Sequence, residues 1–354
     1  MNNDKFKKSK TVNKKAKSKR TALIVLIVVL AVVLLLLIVG TVGINGMLNK
    51  ITRPDDETLS QSEIDALLKE EMEDVDPDFT GDVLSSNDVN LSDSPVEGIT
   101  TAEGTVSIML VGQDARDTKT RSRSDTMILC TIDKSTATLT MTSFMRDTYV
   151  RIPNYFDQRM NVAYMLGGFD VLYDTLEHNF GVQVDQGVAV NFFAFKEIID
   201  QIGGIEIELT SVEANHLNNQ NYTWGLVEGV NHLNGEQALA YARIRKVGGG
   251  GDFNRTNRQR TVITAIIDEA KALPVADLYN LVDELIPMVA TDMSNSEIIA
   301  LVMELAPLLK DLKIVSQRIP IDDGYRMTMI DGMSVLLPDL ETNRQFLVDT
   351  IGKQ

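Results

Sequence analysis

The sequence has one cysteine and three histidines in 354 residues. A single cysteine excludes an internal disulfide, and His178, His216 and His232, scattered along the chain, argue against a zinc site of the common His/Cys kind. The pattern G-x-x-x-x-G-K-[ST] is also missing, which leaves a nucleotide-hydrolysing P-loop without support. No segment repeats at a fixed spacing. Basic residues are outnumbered, 34 against 50, for a formal charge of -16. An acidic chain is a poor partner for duplex nucleic acid, whose affinity rests largely on Lys and Arg neutralising phosphates. What is present is core material. Apolar residues make up 44% and the mean hydropathy is near zero, so disorder of the chain as a whole is excluded and the length fits one or two domains.

Charge is unevenly placed. Residues 1–20 hold eight Lys and one Arg against Asp4; removing this +8 from -16 leaves -24 on the remainder. From Ala22 to Val39 runs an unbroken apolar stretch of 18 residues, continuing through Gly40, Thr41 and Gly43 to Ile44. As a helix it is long enough to cross a hydrocarbon core. A cleaved signal peptide would have a shorter apolar region and a small-x-small site, and a buried soluble helix would show a polar face; neither fits. The basic tail before the span orients it with the N-terminus inside. The expected organisation is a cytoplasmic tail (1–20), a transmembrane helix (21–44), an acidic extracytoplasmic stalk (45–103) and an extracytoplasmic domain (104–354). The expected location is therefore the cell membrane, spanned once, with the C-terminal domain outside. Within that domain Cys130 lies in an apolar run, Met127 to Ile132, as a small buried hydrophobe.

In the stalk, Ser60 and Glu63 stand in capping-box spacing ahead of Leu67 and Leu68, which predicts one short helix. From Val106 the texture changes. Val106–Val111, Thr126–Ile132 and Thr138–Phe144 read as strands, then Phe169–Phe180 as helix, Val182–Val190 as strand, Phe192–Ile202 as helix and Ile205–Leu209 as strand. Further helices are expected at about 235–245, 254–272, 276–289, 295–310 and 339–351. Elements alternating in this way predict an α/β domain.

Eleven of the sixteen arginines fall in two windows: Arg116, Arg121, Arg123, Arg146, Arg151 and Arg159, then Arg243, Arg245, Arg255, Arg258 and Arg260. Arginine suits repeated bidentate recognition of phosphate or carboxylate, and a cluster of it is tolerable where an anion joins the members. The competing reading is an ordinary salt-bridged surface. Asp114 and Asp125 stand at the ends of strand-like runs, on either side of a polar loop that can fold the two carboxylates together. Paired carboxylates beside arginines suit a magnesium-bridged phosphate, because Mg²⁺ takes one or two carboxylates and completes its shell with phosphate oxygens and water. In the second window, a helix beginning near Phe253 puts Arg255 and Gln259 on one face of its first turns, where free N–H groups favour an anion.

Seven ordered blocks carry a resemblance: Val111-Gly-Gln-Asp-Ala-Arg116, Arg123-Ser-Asp-Thr126, Ser143-Phe-Met-Arg-Asp-Thr148, Asn161 with Ala163-Tyr164 and Gly167-Gly168, Ile202-Gly-Gly-Ile205, Gly235 to Arg245, and Gly251 to Gln259. Together, and with the topology of tail, span, stalk and outer domain, they resemble the LytR-CpsA-Psr family. The resemblance implies a central mixed sheet flanked by helices and an apolar pocket for a polyprenyl chain. It also implies a phosphotransferase that moves a glycan phosphate, such as teichoic acid or capsule, from an undecaprenyl-pyrophosphate carrier to peptidoglycan. Carried over by position, Asp114 and Asp125 would hold Mg²⁺, while Arg123, Arg146, Arg243, Arg245, Arg255 and Gln259 would contact the pyrophosphate. Asp147 and Asp252 would orient those arginines or act directly in the chemistry, with a purely structural ion pair as the equal alternative. Met145, Val162, Asn254 and Arg260 depart from residues frequent in the family, and none of them is a proposed ligand. Two other functions use the same donor site: a polyprenyl-pyrophosphate hydrolase with water as acceptor, and a non-catalytic envelope regulator that only binds the lipid. No nucleic-acid partner is expected.

Overall fold

The computed structural model describes residues 48–52, 62, 81–113, 121–244, 247, 251–272, 289–308 and 313–353. The tail, the apolar run of residues 21–44, and most of the expected helices after Ser60 and at 276–289 lie outside them. Among the described residues no helix is long and apolar enough to cross a membrane.

Sparse apolar residues anchor the described parts of the acidic segment to the domain. Leu48 is fully buried, and Thr52 bridges Ala290, donating from its N–H to the Val289 carbonyl at 3.1 Å. Strand β1 (Asp82–Leu84) pairs in parallel with β12 (Tyr325–Ile330), which in turn pairs with β13 (Met333–Pro338). Leu91 and Ile99 are buried as well. Composition alone reads such a segment as a spacer, because its few anchors are diluted by Asp, Glu and Ser.

The main sheet begins with a meander. β2 (Thr105–Gln113), β3 (Ser124–Asp133) and β4 (Thr138–Phe144) pair antiparallel in turn, with Ile108 opposite Cys130 and Cys130 opposite Met141. Most of β3 and β4 is buried on both faces, which is why these strands read as continuous apolar runs and not as an alternation. Asp133 fixes the β3–β4 turn by accepting from the N–H and hydroxyl groups of Ser135 and Thr136. β7 (Gln186–Asn191) adds parallel to β2 and β11 (Lys313–Ile319) parallel to β4, while β10 (Val289–Thr291) closes the far edge antiparallel to β7. The sheet is thus mixed, in the order β10-β7-β2-β3-β4-β11. One end of it gathers the C-termini of β2, β4, β7 and β11 with the N-terminus of β3.

After β4, a hairpin of β5 (Tyr149–Arg151) and β6 (Asp157–Arg159) leads into helix α1 (Ala163–Phe180). This helix starts six residues before the expected Phe169. Gly167 and Gly168 do break it, with φ of -153° and +68°, but the turn before the break is helical too. Gly168, at φ +68°, holds a backbone conformation that side chains with a Cβ rarely adopt, so the kink favours glycine there. Leu172, Leu176 and Phe180 of α1 pack with Met109, Val111, Met127, Leu129 and Phe144 of the sheet, and the Phe144 and Phe180 rings sit 5.5 Å apart. α7 (Leu340–Ile351) adds Leu347 and Ile351 to this core. Leu172 is fully buried; Leu172→Ala is expected to cost about 2–5 kcal/mol. Urea denaturation checks this, and a loss below ~1 kcal/mol would mean that α1 is not seated as described.

A second core lies beyond β7. α2 (Phe192–Gln201), β8 (Ile205–Leu209), α3 (Ser211–Gln220), β9 (Gly229–Leu233), α4 (Gly235–Ala242) and α5 (Gly251–Ala272) enclose Ile199, Ile205, Leu217, Leu233, Tyr241 and Val262. α2 starts at Phe192, one residue after Asn191, which is paired with Gln113. This second unit is therefore planted at the same end of the sheet as the start of β3. α6 (Asn295–Leu305) buries Ile298, Leu301 and Leu305, and its Glu304 pairs with Lys134 in the β3–β4 turn.

Candidate functional site

At that end of the sheet, Arg146 stands two residues past the end of β4. Its Nη1 donates to Asp125 Oδ1 at 2.8 Å, and its Nε lies 3.2 Å from Asp147 Oδ1. The three side chains are 12%, 15% and 20% exposed for Arg146, Asp125 and Asp147, so the triad is largely desolvated but open on one side. In such surroundings a charge-assisted, fork-shaped contact is strong and directional.

The strand register explains why Asp125 is there. Gln113 is paired with Ser124 across a bulge between Gly112 and Gln113, so the residue before Asp114 faces the residue before Asp125. Gln113 is 1% exposed, and its Oε1 accepts from the Ser122 N–H at 3.3 Å, which ties both ends of the intervening loop. Asp114 itself, with Arg116, lies outside the described residues. The backbone under Arg146 is held from several sides. Met145 N–H donates to the Ile319 carbonyl at 2.8 Å, Asn161 N–H to the Arg146 carbonyl at 3.2 Å and Leu336 N–H to the Asp147 carbonyl at 2.8 Å. The Ser124 hydroxyl donates to the Asn161 carbonyl at 3.3 Å, so Asn161 bridges the start of β3 and the Arg146 segment. Met145 and Val162, two departures from the family pattern, are both buried and pack as core.

Other candidates sit on the second unit. Arg243 is the exposed C-cap of α4, whose N-terminus is closed by an Asn234–Gln237 capping box. Arg255 and Gln259 lie four apart on α5, and Arg255 is 3% exposed. α5 begins at Gly251, slightly before the expected Phe253. Asp252 is in its first turn, where an acidic residue complements the helix dipole; its side chain is outside the described set, as is Arg245. Arg123 precedes β3 by one residue and is half-buried. The structure thus brings Asp125, Arg146 and Asp147 into contact, and topology sets the second unit at the same end.

Arg151 of the first window follows the bland reading instead. It pairs with Asp157 at 3.0 Å and with Asp93, and burial raises the Asp157 carboxyl despite the attraction of Arg151. Burial pushes the Cys130 thiol up to about 12, which keeps it protonated and unreactive.

Two residues with a structural bearing on the site go beyond the sequence candidates: Glu213, and Arg258, which the sequence marks only as one of the second arginine window. Arg258 is 6% exposed; its Nε donates to Glu213 Oε1 at 2.8 Å, its Nη1 to the Ile244 carbonyl at 3.1 Å and its Nη2 to the Val247 carbonyl at 2.8 Å. Glu213 also closes the capping box of α3 with Thr210. The signal was present as Thr-x-x-Glu ahead of a helix. Burial opposes ionisation of Glu213, but the Thr210 N–H and the Arg258 guanidinium outweigh it and hold the carboxyl below its usual range. A depressed folded-state pKa gives stability that is present above the unfolded value near 4.3 and lost as pH falls through the folded one. Glu213→Gln is accordingly expected to cost about 1 kcal/mol near pH 7, and the cost is expected to shrink as acid protonates Glu213 in the folded protein. Urea midpoints of both proteins followed from pH 7 down into acid test this; a gap that does not narrow would show that the charge is not what stabilises the contact.

Comparison with known proteins supplies the context for this geometry. The sequence pattern of the LytR_cpsA_psr family matches residues 72–349, well over half of the chain. A polyisoprenyl-teichoic acid–peptidoglycan teichoic acid transferase, TagU of Bacillus licheniformis, is 39% identical over 164 residues, which is 46% of this chain and 51% of that protein. TagV of Bacillus subtilis, named as the same kind of transferase, is 33% identical over 202 residues, 55% of this chain and 51% of its own. The chain spans about half the length of these curated relatives. A solved structure of TagT bound to LI-WTA superposes with a TM-score of 0.55 at 26% identity, covering 74% of this chain and 100% of that one.

Proposed function

The chain belongs to the LytR-CpsA-Psr family, and from that membership we propose that it is a phosphotransferase that moves a glycan phosphate, of the teichoic acid or capsule class, from an undecaprenyl-pyrophosphate carrier to peptidoglycan. The observation that carries the reading is the Asp125–Arg146–Asp147 contact. A guanidinium held in place by two carboxylates is oriented before any substrate arrives, and preorganised charge is what phosphoryl transfer needs most. The transferase names of the relatives in two Bacillus species support the same chemistry.

In this account Arg123, Arg146, Arg243, Arg245, Arg255 and Gln259 bind the donor's pyrophosphate. A muramic acid hydroxyl attacks the phosphorus that bears the glycan. A new P–O bond forms there, the bond to undecaprenyl phosphate breaks with its electron pair going to that leaving phosphate, and the proton of the attacking hydroxyl passes to solvent water. The arginines neutralise the charge that grows on the leaving lipid phosphate, so rate comes from positioning and electrostatics. Asp125, with Asp114, offers the oxygen donors that suit Mg²⁺, which when bound would neutralise pyrophosphate charge. Asp147 orients Arg146, and Asp252 is assigned the same service at the start of α5. The span at residues 21–44 fits a donor confined to the bilayer, and the domain then works outside the cell membrane. The test is to incubate the full chain with an undecaprenyl-pyrophosphate-linked glycan and peptidoglycan oligomers, with and without Mg²⁺, and to identify the products. Glycan phosphate on peptidoglycan is the expected result. Free glycan phosphate would indicate a hydrolase, and binding without turnover a lipid-binding module.

A further inference from the structure

Arg258 is not among the residues assigned to the donor, and its guanidinium is spent inside the protein. All three of its nitrogens are engaged: Nε with Glu213, Nη1 with the Ile244 carbonyl and Nη2 with the Val247 carbonyl, at 2.8, 3.1 and 2.8 Å. Those two carbonyls bracket Arg245 in the chain. Arg258 itself lies on α5 three residues after Arg255 and one before Gln259. The fork therefore joins the segment that carries Arg243 and Arg245 to the helix that carries Arg255 and Gln259. Glu213 is fixed in its turn, because its Oε2 accepts from the Thr210 N–H at 2.9 Å and from the Thr210 hydroxyl at 2.8 Å. A planar guanidinium reaching three acceptors is an arrangement that a lysine ammonium cannot reproduce.

We propose that Arg258 is a positioning residue: with Glu213 as its anchor, it sets the distance between the Arg243–Arg245 segment and the Arg255–Gln259 face of α5, and so the shape of the pyrophosphate-binding group. The proposal rests on the donor-site reading above. Satisfying carbonyls just beyond the end of α4 also stabilises the fold; what marks a spacer is that the held backbone lies on both sides of Arg245, and binding, not stability, is the readout that separates the two roles. Arg258 acts on the donor only through the residues it places.

The test is a double-mutant cycle read by binding, using the full chain in detergent micelles and undecaprenyl pyrophosphate as the probe. Arg258→Met is expected to weaken binding by about tenfold or more, Arg258→Lys to restore only part of it, and Arg245→Ala to weaken binding by itself. The double variant Arg245→Ala/Arg258→Met should lose clearly less than the product of the two single losses, because one of the residues being placed is already gone; independent structural losses would multiply. Wild-type affinity in Arg258→Met, or losses that multiply, overturns the positioning role and leaves the donor site standing. Failure of the wild-type protein to bind the probe overturns the donor site, and the positioning role with it. Should Arg258→Met not fold, Glu213→Gln takes its place in the same cycle: its one amide oxygen can accept from Thr210 or from Arg258 but not from both, so the anchor of Arg258 is weakened with side-chain size kept; a several-fold loss that shrinks in the Arg245→Ala background is then expected.

Discussion

Arg146→Ala should lower transfer by at least about a hundredfold, the scale on which loss of one preorganised charge acts in a partly dry site. Two effects add. The donor loses a guanidinium that is already aimed by Asp125 and Asp147, and those two carboxylates lose the cation that stands between them. The second effect also reaches the fold, since removing one member of a desolvated ion pair weakens the compensation of the other. With side chains 12–20% exposed, a cost of about 1–3 kcal/mol is expected, less than for a fully buried pair. Thermal unfolding and transfer, measured on the same preparation, separate the two. Arg146→Lys keeps the charge without the fork and should fall between wild type and alanine. Transfer by Arg146→Ala within about threefold of wild type would remove this residue from the site.

Arg243→Ala provides the opposite balance. Arg243 is exposed at the end of α4, so its loss should change stability by no more than about 0.5–1 kcal/mol, most of it the favourable contact of a cation with a helix C-terminus. Transfer should nevertheless fall by about a hundredfold if the side chain reaches the donor's pyrophosphate. An exposed arginine that serves only as a surface charge would leave transfer untouched. Initial rates over a range of donor concentrations also show whether the loss lies in binding or in the chemical step. A variant that is inactive and also unfolded would refute the assignment of Arg243 as an exposed ligand.

Much of this arrangement was legible because its residues come in unusual combinations. Asp114 and Asp125 flank a loop between two apolar runs; of that pattern the described residues show Gln113 paired with Ser124, which places Asp125 at the end of the sheet, while Asp114 lies outside them. The meander of β2 to β4 was readable because strands buried on both faces leave continuous runs of Ile, Leu, Val and Met. Short polar strands left no such trace. β5 and β6 have three residues each, and β9, with Asn231 and His232, reads as loop until it is paired with β8. The start of the helix at Ala163 is hidden in the sequence because glycines usually mark helix ends, whereas Gly167 and Gly168 are a kink inside one element. Arg258 was seen only as part of a cluster. Periodicity reports which face a residue shares, not which carbonyls lie beyond it.

The most direct test of the central claim is the fate of the phosphorus next to the glycan. A donor radiolabelled at that atom, given to the full chain with peptidoglycan oligomers and Mg²⁺, should leave its label covalently on peptidoglycan with unlabelled undecaprenyl phosphate as the other product, and Asp125→Ala and Arg146→Ala should abolish both. Label that remains on the lipid, or that reaches peptidoglycan equally well in the two variants, would contradict the account.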